Sequence, residues 1–203
     1  MKAVLLTGLV LLGLGGPAVA NDAGWGQDAA VAAIQKLGGV VEYDEAAAGR
    51  PVVRVDLHGV RLNDADLVCL EPLTELRSLD LRLTPVSDAG VAHLRGLVQL
   101  RFLNLFRTNT SDAGLRELRD MKSLETLMIG GTRVSDDGLA TLKSFPFLRK
   151  LSVFDTRIGD AGIKHLAGLP RLEVLLIGKS KVTDQGARAI REALPRLRFD
   201  ESI

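Results

Sequence analysis

Apolar residues recur along most of the chain in triplets with the spacing L-x-x-L-x-L, and successive triplets lie 24 residues apart. The triplets are Val52, Val55, Leu57; Leu76, Leu79, Leu81; Leu100, Leu103, Leu105; Leu124, Leu127, Ile129; Leu148, Leu151, Val153; and Leu172, Leu175, Ile177. The last two apolar residues of each triplet flank one variable residue, an alternation typical of a β-strand with one buried face. Six copies in one register therefore predict six strands of a repeating unit.

A second motif follows each triplet with the same period. It combines Ser, Thr or Gly, an aspartate, a variable residue, a glycine and an apolar residue at 87–91, 111–115, 135–139, 159–163 and 183–187, with 63–67 as the most divergent copy. The first residue can cap a helix, and the helix dipole favours an aspartate in the first turn. Each unit is therefore predicted to run strand, turn and short helix.

The two layers of such a unit need different spacings. Strands stack about 4.8 Å apart, whereas helices need roughly 10 Å. Both layers can pack only if the sheet bends with its strands on the inside. Six units predict a shallow, open arc.

The shared period of the two motifs resembles the leucine-rich-repeat family, specifically the bacterial class whose helical segment begins T/S-D-A-G-L, over residues 50–200. The resemblance implies an α/β fold, a curved solenoid of six repeats plus terminal caps, with parallel strands on the concave face and short helices on the convex face. It also implies a protein-recognition scaffold. The chain departs from the most familiar form in carrying hydroxyl residues where that form has Asn, so we expect a hydroxyl ladder to hold the turn. These residues are Thr84, Thr108, Thr132, Thr156 and Ser180.

The ends of the chain differ from the repeats. Residues 1–20 are typical of a signal peptide, with Lys2, an apolar run and an Ala18-Val19-Ala20 cleavage site; an uncleaved membrane anchor is the alternative. Residues 21–51 predict an N-terminal cap with a helix at 28–37, a strand at 40–43 and a loop at 44–51. Repeats are expected over 52–194. A C-terminal cap is expected over 195–203, because Leu194, Leu197, Phe199 and Ile203 follow the last helix with slipped spacing.

Composition narrows the choice of partner. Removal of residues 1–20 leaves 25 basic against 25 acidic residues, so net charge gives no support to a nucleic-acid partner. Cys69 is the only cysteine, so packing and not disulfides must stabilise the fold.

No catalytic motif stands out. The 3 histidines are scattered, and His93 and His165 lie three repeats apart. The aspartate column from Asp64 to Asp184 is best explained by helix first turns, and the glycine column from Gly90 to Gly186 by tight packing. We expect no cofactor, no metal and no enzymatic activity.

Three columns of residues are expected to face outward from the strands. They are Arg54, Ser78, Phe102, Thr126, Lys150, Val174; Asp56, Asp80, Asn104, Met128, Ser152, Leu176; and His58, Arg82, Phe106, Gly130, Phe154, Gly178. These columns vary where the leucine columns do not, and they gather large apolar side chains at solvent-facing positions, which is typical of a binding surface. The predicted partner-binding residues are Phe102, Phe106, Met128, Phe154, Arg82, Asn104 and Lys150. The alternative is that one or two of these side chains lie flat over neighbouring repeats.

A basic stripe is expected on the rim after the strands. Arg133, Arg157 and Lys181 share one column, with Arg107 and Lys179 nearby. The stripe suits an acidic partner or an anionic polymer, although a charged, solubilising surface also explains it.

The sequence therefore predicts an exported, non-enzymatic, monomeric scaffold that binds a protein or peptide through its concave face, without stable membrane insertion after cleavage. Two other functions stay open: an inhibitor or regulatory subunit of an extracytoplasmic enzyme, and a structural protein associated with surface glycans. A hydrolase would have to use His58, Asp56 or Asp80.

Overall fold

The computed structural model describes residues 26–199. Eight strands form one open sheet in chain order. They are β1 (Val40–Tyr43), β2 (Val52–Asp56), β3 (Ser78–Asp80), β4 (Phe102–Asn104), β5 (Thr126–Met128), β6 (Lys150–Ser152), β7 (Val174–Leu176) and β8 (Arg198–Phe199). Strand β1 is antiparallel to β2, and every later pair is parallel. The predicted curved solenoid of strand and helix repeats is confirmed.

Short helical segments form the other layer. The α-helices are α1 (Gln27–Lys36), α2 (Asp88–Ala92), α3 (Asp112–Glu117), α4 (Asp160–Ile163) and α5 (Asp184–Ala193), and the 3₁₀-helices are Asp64–Leu70, Gly138–Ser144 and Lys164–Gly168. The Ser87, Ser111 and Thr183 side chains cap α2, α3 and α5 by accepting hydrogen bonds from first-turn amides. No helix within residues 26–199 combines the length and apolar character that crossing a membrane requires.

The leucine columns form one continuous core. It runs from Ala30 and Ile34 in α1 through the triplets to Leu197. Parallel register places equivalent residues side by side, as where Leu103 pairs with Leu79 and Leu127. Because each turn contributes apolar residues to the same positions, neighbouring turns bury each other's side chains.

Hydroxyl groups hold the turns after β3, β4, β5 and β6, but not as a ladder between repeats. The hydroxyl of Thr84 donates to the Leu81 carbonyl at 2.6 Å, and Thr108, Thr132 and Thr156 make the same bond to carbonyls of their own repeats. The expected ladder is therefore wrong. These bonds lie within a repeat because the hydroxyl, shorter than an Asn side chain, reaches the carbonyl three residues earlier.

The aspartate column supplies the connection between repeats. The Asp88 carboxylate accepts from the Ser111 amide at 2.7 Å, from the Ser111 hydroxyl at 2.6 Å and from the Gly114 amide at 2.9 Å. Equivalent bonds to the first residue of the next motif are made by Asp64, Asp112, Asp136 and Asp160. Each carboxylate thus joins two neighbouring repeats, and all of them except Asp136 also occupy a helix first turn.

Both ends of the repeat array carry additional structure. Helix α1 buries Ala30, Val31 and Ile34 against the first repeat, and β1 extends the sheet. At the other end β8 continues the 24-residue register, with Arg198 opposite Val174. The slipped spacing expected at Phe199 is therefore wrong, because backbone pairing keeps this residue in the middle leucine column. The predicted signal peptide and Ile203 lie outside the described residues.

Candidate partner-binding surface

The first outward column is accessible along the concave face. Phe102, Thr126 and Lys150 are partly exposed on successive strands, and Arg54 is exposed. These side chains alternate with the buried middle leucines, so strand geometry alone turns them outward. This column can contact a partner without any rearrangement of the sheet.

The second column is largely buried, which corrects the expectation for Asn104. Asn104 is only 6% exposed, and its neighbour Asp80 is 9% exposed. The Asn104 side-chain oxygen accepts from the Phe106 amide at 3.0 Å, while its Nδ2 donates to Asp80 at 3.3 Å. Because these polar atoms close the turn after the strand, Asn104 is not displayed to solvent. Met128 is the partly exposed member of this column at the centre of the sheet.

The third column corrects the expected exposure of Phe154. Phe154 is 6% exposed, and its ring covers Gly178, where an added Cβ would lie 2.9 Å from Phe154 Cδ2. Phe106 covers Gly130 in the same way and stays partly exposed. The centroids of the two phenylalanine rings are 6.4 Å apart. Each ring therefore lies over the glycine of the following repeat, as the alternative interpretation of the sequence had it.

Cations lie against both rings. The Arg107 guanidinium is 5.2 Å from the Phe106 centroid, and the Lys179 ammonium is 5.3 Å from the Phe154 centroid. The electron-rich face of an aromatic ring attracts a cation. These two contacts join the third column to cations of the basic stripe that the sequence predicts on the rim after the strands.

Leu83 belongs to the accessible surface but was not identified from the sequence. It is 52% exposed with a left-handed φ of 59°, and its amide donates to the Phe106 carbonyl at 2.9 Å. The sequence signal for a left-handed, outward conformation at Leu83 is the glycine at the equivalent positions of other repeats. These are Gly59 and Gly131, which have φ values of 65° and 66°. Phe102, Phe106 and Met128 are named here the concave apolar patch, and Leu83 adjoins it from the column that Arg107 and Lys179 also occupy.

Charged residues occupy the N-terminal end of the concave face. The His58 ring nitrogen lies 2.7 Å from Asp56 Oδ1, and Arg82 pairs with Asp80 at 3.5 Å. Burial favours a raised pKa for Asp56, but hydrogen bonds from the His58 amide and ring, together with the charge of Arg82, lower the pKa overall. This end of the surface is polar, in contrast to the apolar patch.

The described residues show no metal-binding cluster here. Within 26–199 no group of three or more His, Cys, Asp and Glu side chains is placed to hold a metal ion. Over the same residues His58 is hydrogen-bonded to Asp56 and to no hydroxyl or thiol. Asp80 is occupied by its bonds to the Arg82 amide and Asn104.

The fold is that of a leucine-rich-repeat solenoid. A family model described as "Leucine Rich repeat" matches residues 146–167 of the chain. No curated protein matches the chain by sequence.

Solved structures of two bacterial proteins share the fold. An internalin (inlF) from Listeria monocytogenes is similar with a TM-score of 0.61 at 19% identity, over 74% of this chain and 48% of its own length. Internalin C2 (inlC2) from the same organism has a TM-score of 0.58 at 18% identity, over 73% of this chain and 70% of its own. The chain thus spans about half the length of the first neighbour. The predicted resemblance to bacterial leucine-rich-repeat proteins is confirmed at the level of the fold.

Proposed function

We propose that the chain is an exported, non-enzymatic scaffold that binds a protein or peptide partner on the concave apolar patch, with Arg82 and Lys150 at its margins. The observation that carries the proposal is the partial exposure of Phe102 and Met128 on two adjacent strands whose other apolar residues are buried, together with that of Phe106 in the turn after the first of these strands. Solvent-facing apolar clusters of this kind are characteristic of recognition surfaces.

The proposal assigns different roles to the predicted site residues. Phe102 and Met128 contact the partner directly, and Phe106 contributes the exposed part of its ring. Phe154 and Asn104 support the surface from below, because their side chains are buried against Gly178 and Asp80. Export rests on the signal-like residues 1–20, and the mature scaffold acts as a monomer.

The test is capture of a partner from an extracytoplasmic fraction of the source organism with protein that begins at Asn21. Wild type is compared with a Phe102→Ser, Met128→Ser variant and with a Val98→Ser, Phe147→Ser variant. The second variant is a matched control, since Val98 and Phe147 are each 43% exposed but lie outside the strands. All three proteins are first shown to unfold at similar temperatures.

We expect one identified protein to be retained by wild type and control, with affinity for the concave variant reduced about tenfold or more, as for loss of interface anchors. A partner bound equally well by all three proteins would contradict the concave site. If the partner is an enzyme whose activity falls on binding, the scaffold acts as an inhibitor.

A further inference from the structure

Five exposed cations lie along the rim where the strands turn towards the helical layer. This basic rim consists of Arg107, Arg133, Arg157, Lys179 and Lys181. Backbone bonds from Arg133 to Thr110 and from Lys181 to Ile158 join neighbouring turns at the rim, where the pairing is shifted by two residues from that of the strands, so that Lys181 lies opposite Gly159. Equivalent cations of successive turns are therefore attached to backbones about 4.8 Å apart.

The cations of the basic rim are not paired with a carboxylate in the described part of the chain, and the exposed Asp155 is the one acidic residue in the column of Arg107 and Lys179. Among residues 26–199 none of its five members forms an ion pair. Arg133 donates instead to the neutral side chain of Asn109 at 3.1 Å. The nearby aspartate column is occupied by hydrogen bonds to the next repeat, as where Asp136 accepts from the Gly159 amide at 2.8 Å.

Arginines just before the strands, at the opposite end of the strands from the basic rim, form ion pairs. Arg77 pairs with Asp44 at 3.1 Å, Arg101 with Glu125 at 3.7 Å and Arg149 with Glu173 at 2.9 Å. Exposed arginines in this protein are thus commonly matched by a carboxylate of a neighbouring segment. The rim departs from that pattern over several consecutive repeats.

The rim is continuous with apolar surface. Arg107 lies over the ring of Phe106, a member of the concave apolar patch. A ligand that covers both features must present carboxylates beside apolar side chains. Protein segments combine the two, whereas an anionic polysaccharide offers charge without apolar side chains.

We propose that the basic rim binds an acidic segment of the same protein partner whose apolar side chains contact the concave patch. This inference rests on the proposed function, because it assigns the partner's chemistry from a concave site. Unpaired cations at the rim would speed association and make affinity fall with added salt.

The experiment uses three probes, each titrated to about 1 mM, a range that detects weak binding. They are a peptide alternating Glu with Phe and Leu, a peptide of Glu alone, and a heparin fragment. The rim variant is Arg133→Gln, Arg157→Gln, Lys181→Gln. The matched control, Arg77→Gln, Arg101→Gln, Arg149→Gln, changes net charge equally at the opposite edge.

We expect the mixed peptide to bind wild type. Its affinity for the rim variant should be about tenfold lower, as for loss of several exposed ion pairs, whereas its affinity for the control variant should fall by less than about twofold. Equal losses of affinity in the rim and control variants would show that only the net charge of the protein matters, and would overturn the proposal. Rim-dependent binding of heparin without binding of either peptide would also overturn it, as would no binding at all.

A further variant, Phe102→Ser, separates this inference from the proposed function. In one outcome the Glu peptide binds through the rim, the mixed peptide binds no more tightly than the Glu peptide, and Phe102→Ser does not change the affinity for either peptide. The acidic-segment site then stands, and the concave apolar site fails. If Phe102→Ser weakens the mixed peptide but the rim variant does not, the concave site stands and the rim proposal fails.

Discussion

At the scale of single residues, the repeated motif is explained by one carboxylate contact. The Asp of every unit but the last accepts from the first residue of the next motif, and the glycine of that motif leaves room for it, as Gly114 does for Asp88. The first unit has no preceding carboxylate, and there Asp66 stands at the glycine position and accepts from the Asn63 amide at 2.7 Å. The divergence of the first copy is thus a consequence of its place at the end of the array.

This contact predicts that Gly114→Ala is destabilising. The added Cβ would lie 2.6 Å from Asp88 Oδ1 and 2.7 Å from Thr110 Cγ2, so at least one of them must move. We expect the free energy of unfolding to fall by about 1–3 kcal/mol, as in overpacked sites. Urea denaturation of Gly96→Ala supplies the control, because nothing lies within 4 Å of a Cβ there. Equal stability of the two variants would show that the carboxylate does not require the glycine.

At the scale of elements, the sequence predicts what recurs in residue identity and misses what depends on contacts between repeats. Strands β2 to β7 follow from the 24-residue alternation. Strand β8 does not follow from this alternation, because Arg196 stands where earlier units have an apolar residue. Only backbone pairing reveals its register. The burial of Phe154 depends on Gly178, one repeat away, and the alternation of Phe and Gly in that column was its only signal.

The hydrogen-bonded connection between α4 and α5 predicts a dependence of stability on pH. The Thr183 hydroxyl, with the Thr183 amide, holds the pKa of the Asp160 carboxyl below its usual value of 3.8. A lowered folded-state pKa stabilises the fold above that usual value, and the contribution is lost as pH falls through the folded-state pKa.

We therefore expect Asp160→Asn to lower the urea midpoint at pH 7 and to flatten its acid dependence between about pH 5 and 2. Asp184→Asn is the matched control, since among the described residues no hydrogen bond reaches the equivalent Asp184 side chain. Its change should be limited to a helix-dipole effect. An acid dependence of Asp160→Asn that parallels wild type would count against the connection.

At the scale of the whole molecule, stability depends on neighbouring turns covering each other. The core is continuous from α1 to Leu197, and the ends are covered by α1 with β1 and by α5 with β8. Cys69 lies near the N-terminal end of this core, 1% exposed, and burial together with the charge of Asp66 raises its thiol pKa to about 11. Thiol labelling at neutral pH therefore requires the core around the first repeat to open.

The continuous core predicts that Ile34→Asp destabilises the entire array and not the cap alone. Ile34 is fully buried in α1, so the variant places a charge in apolar surroundings and should cost about 3–5 kcal/mol or more. Far-UV circular dichroism and Cys69 labelling should then report one coincident transition at a lower urea concentration. The exposed neighbour Ala32→Asp should shift that midpoint only slightly. Early labelling of Cys69 while most of the circular dichroism signal persists would instead show that the cap and first repeat open separately, and that the remaining turns are stable without them.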